Sequence, residues 1–233
     1  MKVLIFGDSA INPRTFPAAD RTPLEGTFPF QLKEQFPEAT FYQLCFGNVT
    51  TEEPVGQIIS YFSEWQPDFI IVLSGMADCK PEAYTEFERS FLEMMSRKRF
   101  FHRFAKFMLQ PKIEIPLRRI RQKFRVIPAE FERTAKKLKL IFSDSRILWL
   151  EIFVSPEGRY EQIRPGITGR VGIYNNILKK VFGADFVPVQ KALEESGGIT
   201  ADHEHLRAPG HTTISRILGE IMNEHSERKP GQV

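Results

Sequence analysis

Short apolar runs with β-branched or aromatic residues recur at residues 3–6, 40–46, 69–73, 147–150 and 186–189. Segments of helical period lie between them. Residues 28–36 and 55–65 read as the first two helices, and in the second Val55, Ile58, Ile59 and Phe62 fall at i, i+3, i+4 and i+7. A long helical excursion follows the third run: residues 82–95, a basic stretch broken by Pro111 and Pro116, then residues 128–142. Residues 160–168 are polar, contain Pro165-Gly166 and read as a loop, and residues 170–182 resume a helix ended by Gly183. In the last helix, residues 212–223, Ile214, Ile217, Leu218, Ile221 and Met222 share one face.

Strands that alternate with helices predict a parallel sheet covered on both faces, a three-layer α/β/α sandwich with five strands. In such a sheet the loops after the strand C-termini collect at one edge, where open α/β folds bind ligands. Residues 7–9, 47–48 and 74–78 fall there. We expect one domain over residues 1–225, a basic helical insertion at about 97–142 and a flexible tail at 226–233.

The chain has 233 residues and 42% hydrophobic content, enough for a substantial core without a metal or disulfide staple. Cys45 and Cys79 sit beside apolar runs and read as buried free thiols, which fits a reducing, cytoplasmic compartment. The run at 3–6 is too short for a leader or a membrane span and reads as a core strand. Charge is unevenly placed. Residues 97–139 hold 15 Lys and Arg against 3 Glu, a surplus of 12 in a chain whose formal net charge is +3.

Ser9 follows the first strand and precedes Asn12-Pro13, a position that exposes a hydroxyl at the sheet edge and aims the Ser9 N–H where an oxyanion would form. A serine hydroxyl needs a base, and a histidine base needs an orienting carboxylate. Asp202 and His205, three apart, offer both on one turn. The bland alternatives are a capping serine and a capping or solvated Asp–His pair. Asp202, His203, His205 and His211 together also raise a metal site, but no second cluster completes an orthodox ligand set, so no metal and no cofactor is expected. Arg14 and Arg164 lie in loops near the same edge, where a guanidinium holds a carboxylate or phosphate, the alternative being an ordinary surface ion pair.

Gly7-Asp8-Ser9 and Asp202-His203-Glu204-His205 resemble the first and last blocks of the SGNH (GDSL-type) hydrolase superfamily. Phe46-Gly47-Asn48 with Thr50-Thr51 resembles its glycine block, and Gly75-Met76-Ala77-Asp78 its third block, with Ala77 where the family has Asn. The resemblance implies a flavodoxin-like sheet and a catalytic set of Ser9, Asp202 and His205. It also implies an oxyanion hole from the N–H groups of Ser9 and Gly47, with Asn48 a further candidate, and substrate contacts from Arg14, Asp78 and Arg164. Pro13-Arg14, Cys79-Lys80-Pro81, Arg164-Pro165-Gly166-Ile167 and Tyr174-Asn175 resemble a bacterial subgroup associated with surface-polysaccharide biosynthesis, in which the third-block Asn is commonly absent. The implied function is a serine esterase acting on O-acyl groups, O-acetyl foremost, of a carbohydrate or lipid-linked glycan. The alternatives are an O-acyltransferase of the same fold or a non-catalytic carbohydrate-binding or scaffold protein.

The basic segment interleaves Arg97, Lys98, Arg99, Arg103 and Lys106 with Phe100, Phe101, Phe104 and Phe107. That pattern suits an interfacial helix on an anionic membrane, or a solvated face with long stems over an apolar stripe. No recognised binding motif accompanies the charge, so nucleic acid is not an expected partner. Oligomeric state is not legible.

Overall fold

The computed structural model describes residues 1–155 and 158–228. In chain order the elements are β1 (Lys2–Gly7), α1 (Phe28–Gln35), β2 (Thr40–Cys45), α2 (Glu52–Phe62), β3 (Phe69–Leu73), α3 (Met76–Cys79), β4 (Pro81–Glu82), α4 (Glu86–Ser96), α5 (His102–Met108), α6 (Pro111–Arg121), β5 (Lys123–Phe124), α7 (Pro128–Ile141), β6 (Arg146–Leu150), α8 (Arg159–Ile163), α9 (Ile167–Phe182), β7 (Phe186–Val187), α10 (Gln190–Glu195) and α11 (Ala208–Arg228). The main sheet has the order β2-β1-β3-β6-β7, and every pairing in it is parallel.

Side chains alternate across a strand, so each central strand feeds two cores. Leu4, Phe6, Ile70, Val72, Ile147 and Trp149 face α2, α7 and α9, while Val3, Ile5, Phe69, Ile71, Leu148 and Leu150 face α1, α10 and α11. Strand β2 is an edge strand with four of its six residues exposed. Cys45 at its end is therefore exposed, against expectation, and its thiol donates to the Asp8 carbonyl at 3.3 Å, whereas Cys79 is buried.

Several boundaries depart from the sequence reading. Helix α7 carries Phe131, Ala135 and Leu138 into the core and is a layer helix. The excursion is thus α4–α6, closed at its base by the antiparallel ribbon β4–β5. Thr85 starts α4 with a capping box, accepting from Glu88 N while its own N–H reaches the Glu88 carboxylate. Pro111 opens α6 at a position that needs no N–H donor, and Pro116 lies inside that helix on an exposed position where water can serve the orphaned carbonyl. The loop expected at residues 160–168 instead begins within α8, one helical turn that buries Tyr160, and ends within the first turn of α9. The last helix, expected from residue 212, starts at Ala208, with Pro209 in its first turn where proline is tolerated. That helix also runs through residues 226–228 of the expected tail, and residues 229–233 lie outside the described residues.

Glycine is required where β1 ends. A Cβ on Gly7 would lie 2.2 Å from the Leu73 carbonyl oxygen, and only its absence lets β1 and β3 run side by side to their tips. The next N–H, that of Asp8, then donates to the same carbonyl at 2.9 Å. Gly7→Ala is expected to destabilise the fold by about 1–3 kcal/mol through overpacking. Scanning calorimetry should register this as a drop in melting temperature of about 2–12 °C; an unchanged midpoint would mean that the strand tips part without cost.

Candidate active site

The C-terminal edge of β1 turns directly into a 3-10 turn, Ser9–Ile11, whose N-cap is Asp8: its carboxylate accepts from Ala10 N at 2.9 Å. This fixes Ser9 at the lip of the sheet. Its Oγ lies 2.8 Å from His205 Nε2, and His205 Nδ1 lies 3.0 Å from Asp202 Oδ2. Three residues from the two ends of the chain thus stand in one hydrogen-bonded line.

The Asp–His loop is itself built. Residues 198–207 fold back as a narrow loop, bridged at Ile199 and Leu206, with Thr200 N donating to His205 O and Arg207 N to Gly198 O. Gly198 and Gly210 touch so closely that a Cβ on either would overlap the other's backbone, so the loop sits flush on the start of α11. Arg207 Nε donates to buried Asp20 at 2.6 Å, which ties the loop to the segment after β1. Thr200 Oγ1 donates to Asp202 Oδ1 at 2.5 Å, leaving Oδ2 to the imidazole. None of Asp20, Thr200 or Arg207 carries a sequence motif; only their placement in space marks them.

Arg14 Nη1 stands 2.8 Å from Asp202 Oδ2, although its N–H groups are not aligned for a hydrogen bond. This candidate substrate-binding arginine therefore faces a carboxylate of the protein itself. Burial opposes ionisation of Asp202, but hydrogen bonds from His205 and Thr200, the charge on His205 and the contact with Arg14 prevail, holding the carboxyl well below the usual carboxylate range. Asp78 is also turned inward. Fully buried, it accepts from Thr51 N at 3.1 and 3.0 Å and from Thr51 Oγ1 at 2.7 Å, so it anchors the loop after β2 rather than presenting itself to a ligand. Desolvation pushes its carboxyl up to about 6 despite the Thr51 hydrogen bonds. Arg164 is half-buried at the end of α8, near enough to Tyr160 for its charge to oppose the upward shift that burial imposes on that phenol.

The N–H groups of Ser9 and Gly47 have no hydrogen-bond partner among the described residues, and nothing crowds the Gly47 Cα. Asn48 has a left-handed backbone (φ 54°); its Oδ1 and carbonyl accept from Arg125 at 3.3 and 2.9 Å. Its amide is thus engaged at the root of the basic insertion. Ala77 is buried within α3.

The other histidines diverge from the line. His211 is fully buried, stacks on Phe28, accepts from Phe28 N at 3.2 Å and is pushed down to about 4 by burial, so it is neutral. His203, at φ 72°, packs against Tyr160. Among the described residues no group of three or more His, Cys, Asp or Glu side chains is placed to hold a metal ion. Near Asp8, Lys80 Nζ and Tyr160 Oη meet Glu204 Oε2 at 2.6 and 2.8 Å. A cavity of about 10 Å³, little more than one water, lies between Asp8, Ala10, Met76, Ile152, Phe153 and Glu204. A larger one of about 380 Å³ opens on the α8–α9 side, between Ile152, Tyr160, Val171 and Gln190, and none of Ser9, Asp202 and His205 lines it.

No family model matches the chain, and no curated protein matches it in sequence. Solved structures do resemble it. A lipase/acylhydrolase from Enterococcus faecalis superposes with a TM-score of 0.63 at 13% identity, covering 100% of this chain and 99% of its own. A protein described as a GDSL-like lipase from Parabacteroides merdae gives 0.59 at 13% identity with 95% of each chain covered. A catalytic variant of the acetylxylan esterase Axe2 from Geobacillus stearothermophilus gives 0.58 at 16% identity, with 93% and 91% covered. At such identities the likeness is one of architecture: the chain has the α/β/α fold of SGNH hydrolases.

Proposed function

We propose that this protein is a serine esterase that removes a small O-acyl group, O-acetyl foremost, from a carbohydrate or lipid-linked glycan. The observation that carries the reading is the Ser9–His205–Asp202 line, 2.8 and 3.0 Å between heavy atoms, at the ligand-binding edge of the sheet. Ser9 Oγ bonds to the acyl carbon as its proton passes to His205 Nε2, and Asp202 holds the Nδ1–H and stabilises the imidazolium. The carbonyl oxygen takes the negative charge and rests on the free N–H groups of Ser9 and Gly47. Collapse breaks the ester C–O bond and His205 protonates the departing alcohol. Water, deprotonated by His205, then cleaves the acyl-enzyme to the carboxylic acid and free Ser9. Arg164 remains a candidate for the acceptor side. If a second sugar hydroxyl replaces water, the same steps give an acyltransferase.

One observation favours a second reading, a binding protein without turnover: position 77, where the family it resembles has Asn, carries a buried methyl with no amide to offer an oxyanion. Labelling with a fluorophosphonate separates the two. The esterase reading expects stoichiometric modification of Ser9, lost in Ser9→Ala and His205→Ala; an unlabelled, folded parent protein would refute it.

A missing oxyanion donor typically costs about 10²–10³ in rate. Hydrolysis of generic acetyl esters is therefore expected to be slow, and Ala77→Asn to raise kcat, by up to about 10²-fold if the new amide reaches the oxyanion. Because position 77 is buried, the melting temperature of the variant should be read beside its kinetics. A folded variant with unchanged kcat would show that another group already serves the oxyanion.

Asp8 adds a pH dependence. Burial pushes its carboxyl from 3.8 up to about 6, against the Ala10 N–H and the charges of His205 and Lys80. Folding therefore favours its protonated form, so its stabilising contribution is present below about pH 4 and is lost as pH rises through about 6. Asp8→Asn keeps a cap oxygen for Ala10 N and carries no charge. Its melting temperature relative to the parent should climb from pH 4 to about 6.5 and level off above; a pH-independent difference would contradict the assignment.

A further inference from the structure

We propose that the tip of the insertion, α4, α5 and the turn between them, is a docking surface for an anionic lipid bilayer. The tip keeps its aromatic residues outside. Phe100 is 95% exposed and Phe87 80%, and Phe91, Met94, Phe101, Phe104 and Phe107 are each between 44% and 56% exposed. The insertion's own core is only Ala83, Tyr84 and Leu92, with Met108, Leu109 and Leu117 packed against it, so these rings have no interior to enter. They follow helical spacing, Phe87, Phe91 and Met94 along α4, and Phe104 and Phe107 on α5 behind Phe100 and Phe101. Monomeric surfaces rarely gather so many large apolar side chains without an occupant.

Charge identifies that occupant. Residues 97–112 hold six Lys and Arg and no carboxylate. Arg97, Lys98, Arg99, Arg103, Lys106 and Lys112 are all exposed, and none forms an ion pair among the described residues. The cations of the stem behave oppositely. Arg118 pairs with Glu114 at 2.5 Å, and Arg121 and Lys123 with Glu88 at 2.6 and 3.2 Å. The insertion therefore neutralises cations at its base and leaves those of the α4–α5 turn and α5 uncompensated, the carboxylates Glu86, Glu88 and Glu93 of α4 lying before that run. Aromatic rings that enter the headgroup boundary, interleaved with long cationic side chains that snorkel to phosphates, are the chemistry of an interfacial helix. A second copy of this chain would bring the same unpaired cations against themselves, which favours lipid over self-association. No helix among the described residues is long and apolar enough to cross a membrane, so the contact is peripheral.

The test uses the full chain and stands apart from the proposed chemistry. Vesicles of phosphatidylglycerol mixed with phosphatidylcholine should co-sediment the protein, and phosphatidylcholine vesicles should not. Binding should fall as salt rises from about 0.1 to about 1 M, over which the Debye length shrinks from about 10 to about 3 Å. Arg99→Gln, Arg103→Gln and Lys106→Gln should each weaken binding roughly fivefold. Phe100→Ser with Phe104→Ser should weaken it further, with an unchanged circular dichroism spectrum because both rings are exposed. Phe100→Trp should shift its fluorescence to the blue on anionic vesicles. Failure to bind anionic vesicles at low salt, equal binding to both compositions, or binding indifferent to the Phe substitutions would overturn the proposal. So would concentration-dependent dimerisation that the same substitutions abolish.

Discussion

The hydrogen bond between Ser9 Oγ and His205 Nε2 joins residues 196 positions apart, and much of the structure serves to keep those two atoms at 2.8 Å. One side is fixed by the sheet. Gly7 lets β1 reach the tip of β3, and Asp8 caps the turn on which Ser9 sits. The other side has no strand to lean on, so a loop must be made rigid by other means: the Gly198–Gly210 contact, the Asp20–Arg207 ion pair and the Thr200 hydroxyl. A displacement of about 1 Å at such a junction can cost on the order of 10²-fold in rate.

Carboxylates crowd this junction, and most of them meet a cation or several donors. Asp202 has Arg14, Thr200 and the imidazole; Glu204 has Lys80 and Tyr160; Asp20 has Arg207. Asp8, by contrast, receives only the Ala10 N–H among the described residues, and its carboxyl rises to about 6. Arg14 is the unexpected member. It faces Oδ2 of Asp202, the same oxygen that meets the imidazole.

The central strands, the layer helices α1, α2, α9 and α11 and the convergence of three loops at one edge were legible in the sequence because apolar periodicity and parallel topology determine them, whereas α7 read as part of the excursion. The pairing of Ser9 with Asp202 and His205 was legible because short motifs mark all three. What escaped was whatever depends on three-dimensional partners. Arg14 and Asp78 looked like ligand contacts because their loops lie at the edge, but loop position does not say which way a side chain turns, and each meets a protein group instead. Cys45 looked buried beside an apolar run, yet that run is an edge strand, and strand order is not written in the run itself. Pro116 looked like a helix breaker, but an exposed helix face can leave one carbonyl to water.

Loss of the third-block amide leaves the rest of that block intact. Helix α3 still carries Asp78 to Thr51, and those hydrogen bonds hold the start of α2 and hence the loop bearing Gly47. The same loop is gripped from the opposite direction by Arg125, which follows β5 at the return of the insertion and meets both oxygens of Asn48. The loop bearing the free Gly47 N–H is thus suspended between a buried acid of the core and a cation of the stem. The insertion thus touches the Gly47 loop through the Arg125 guanidinium. A load on its tip has a short route to the Gly47 loop through Arg125, and a second to the Asp–His loop through Lys80, which immediately precedes β4 and meets Glu204 at 2.6 Å.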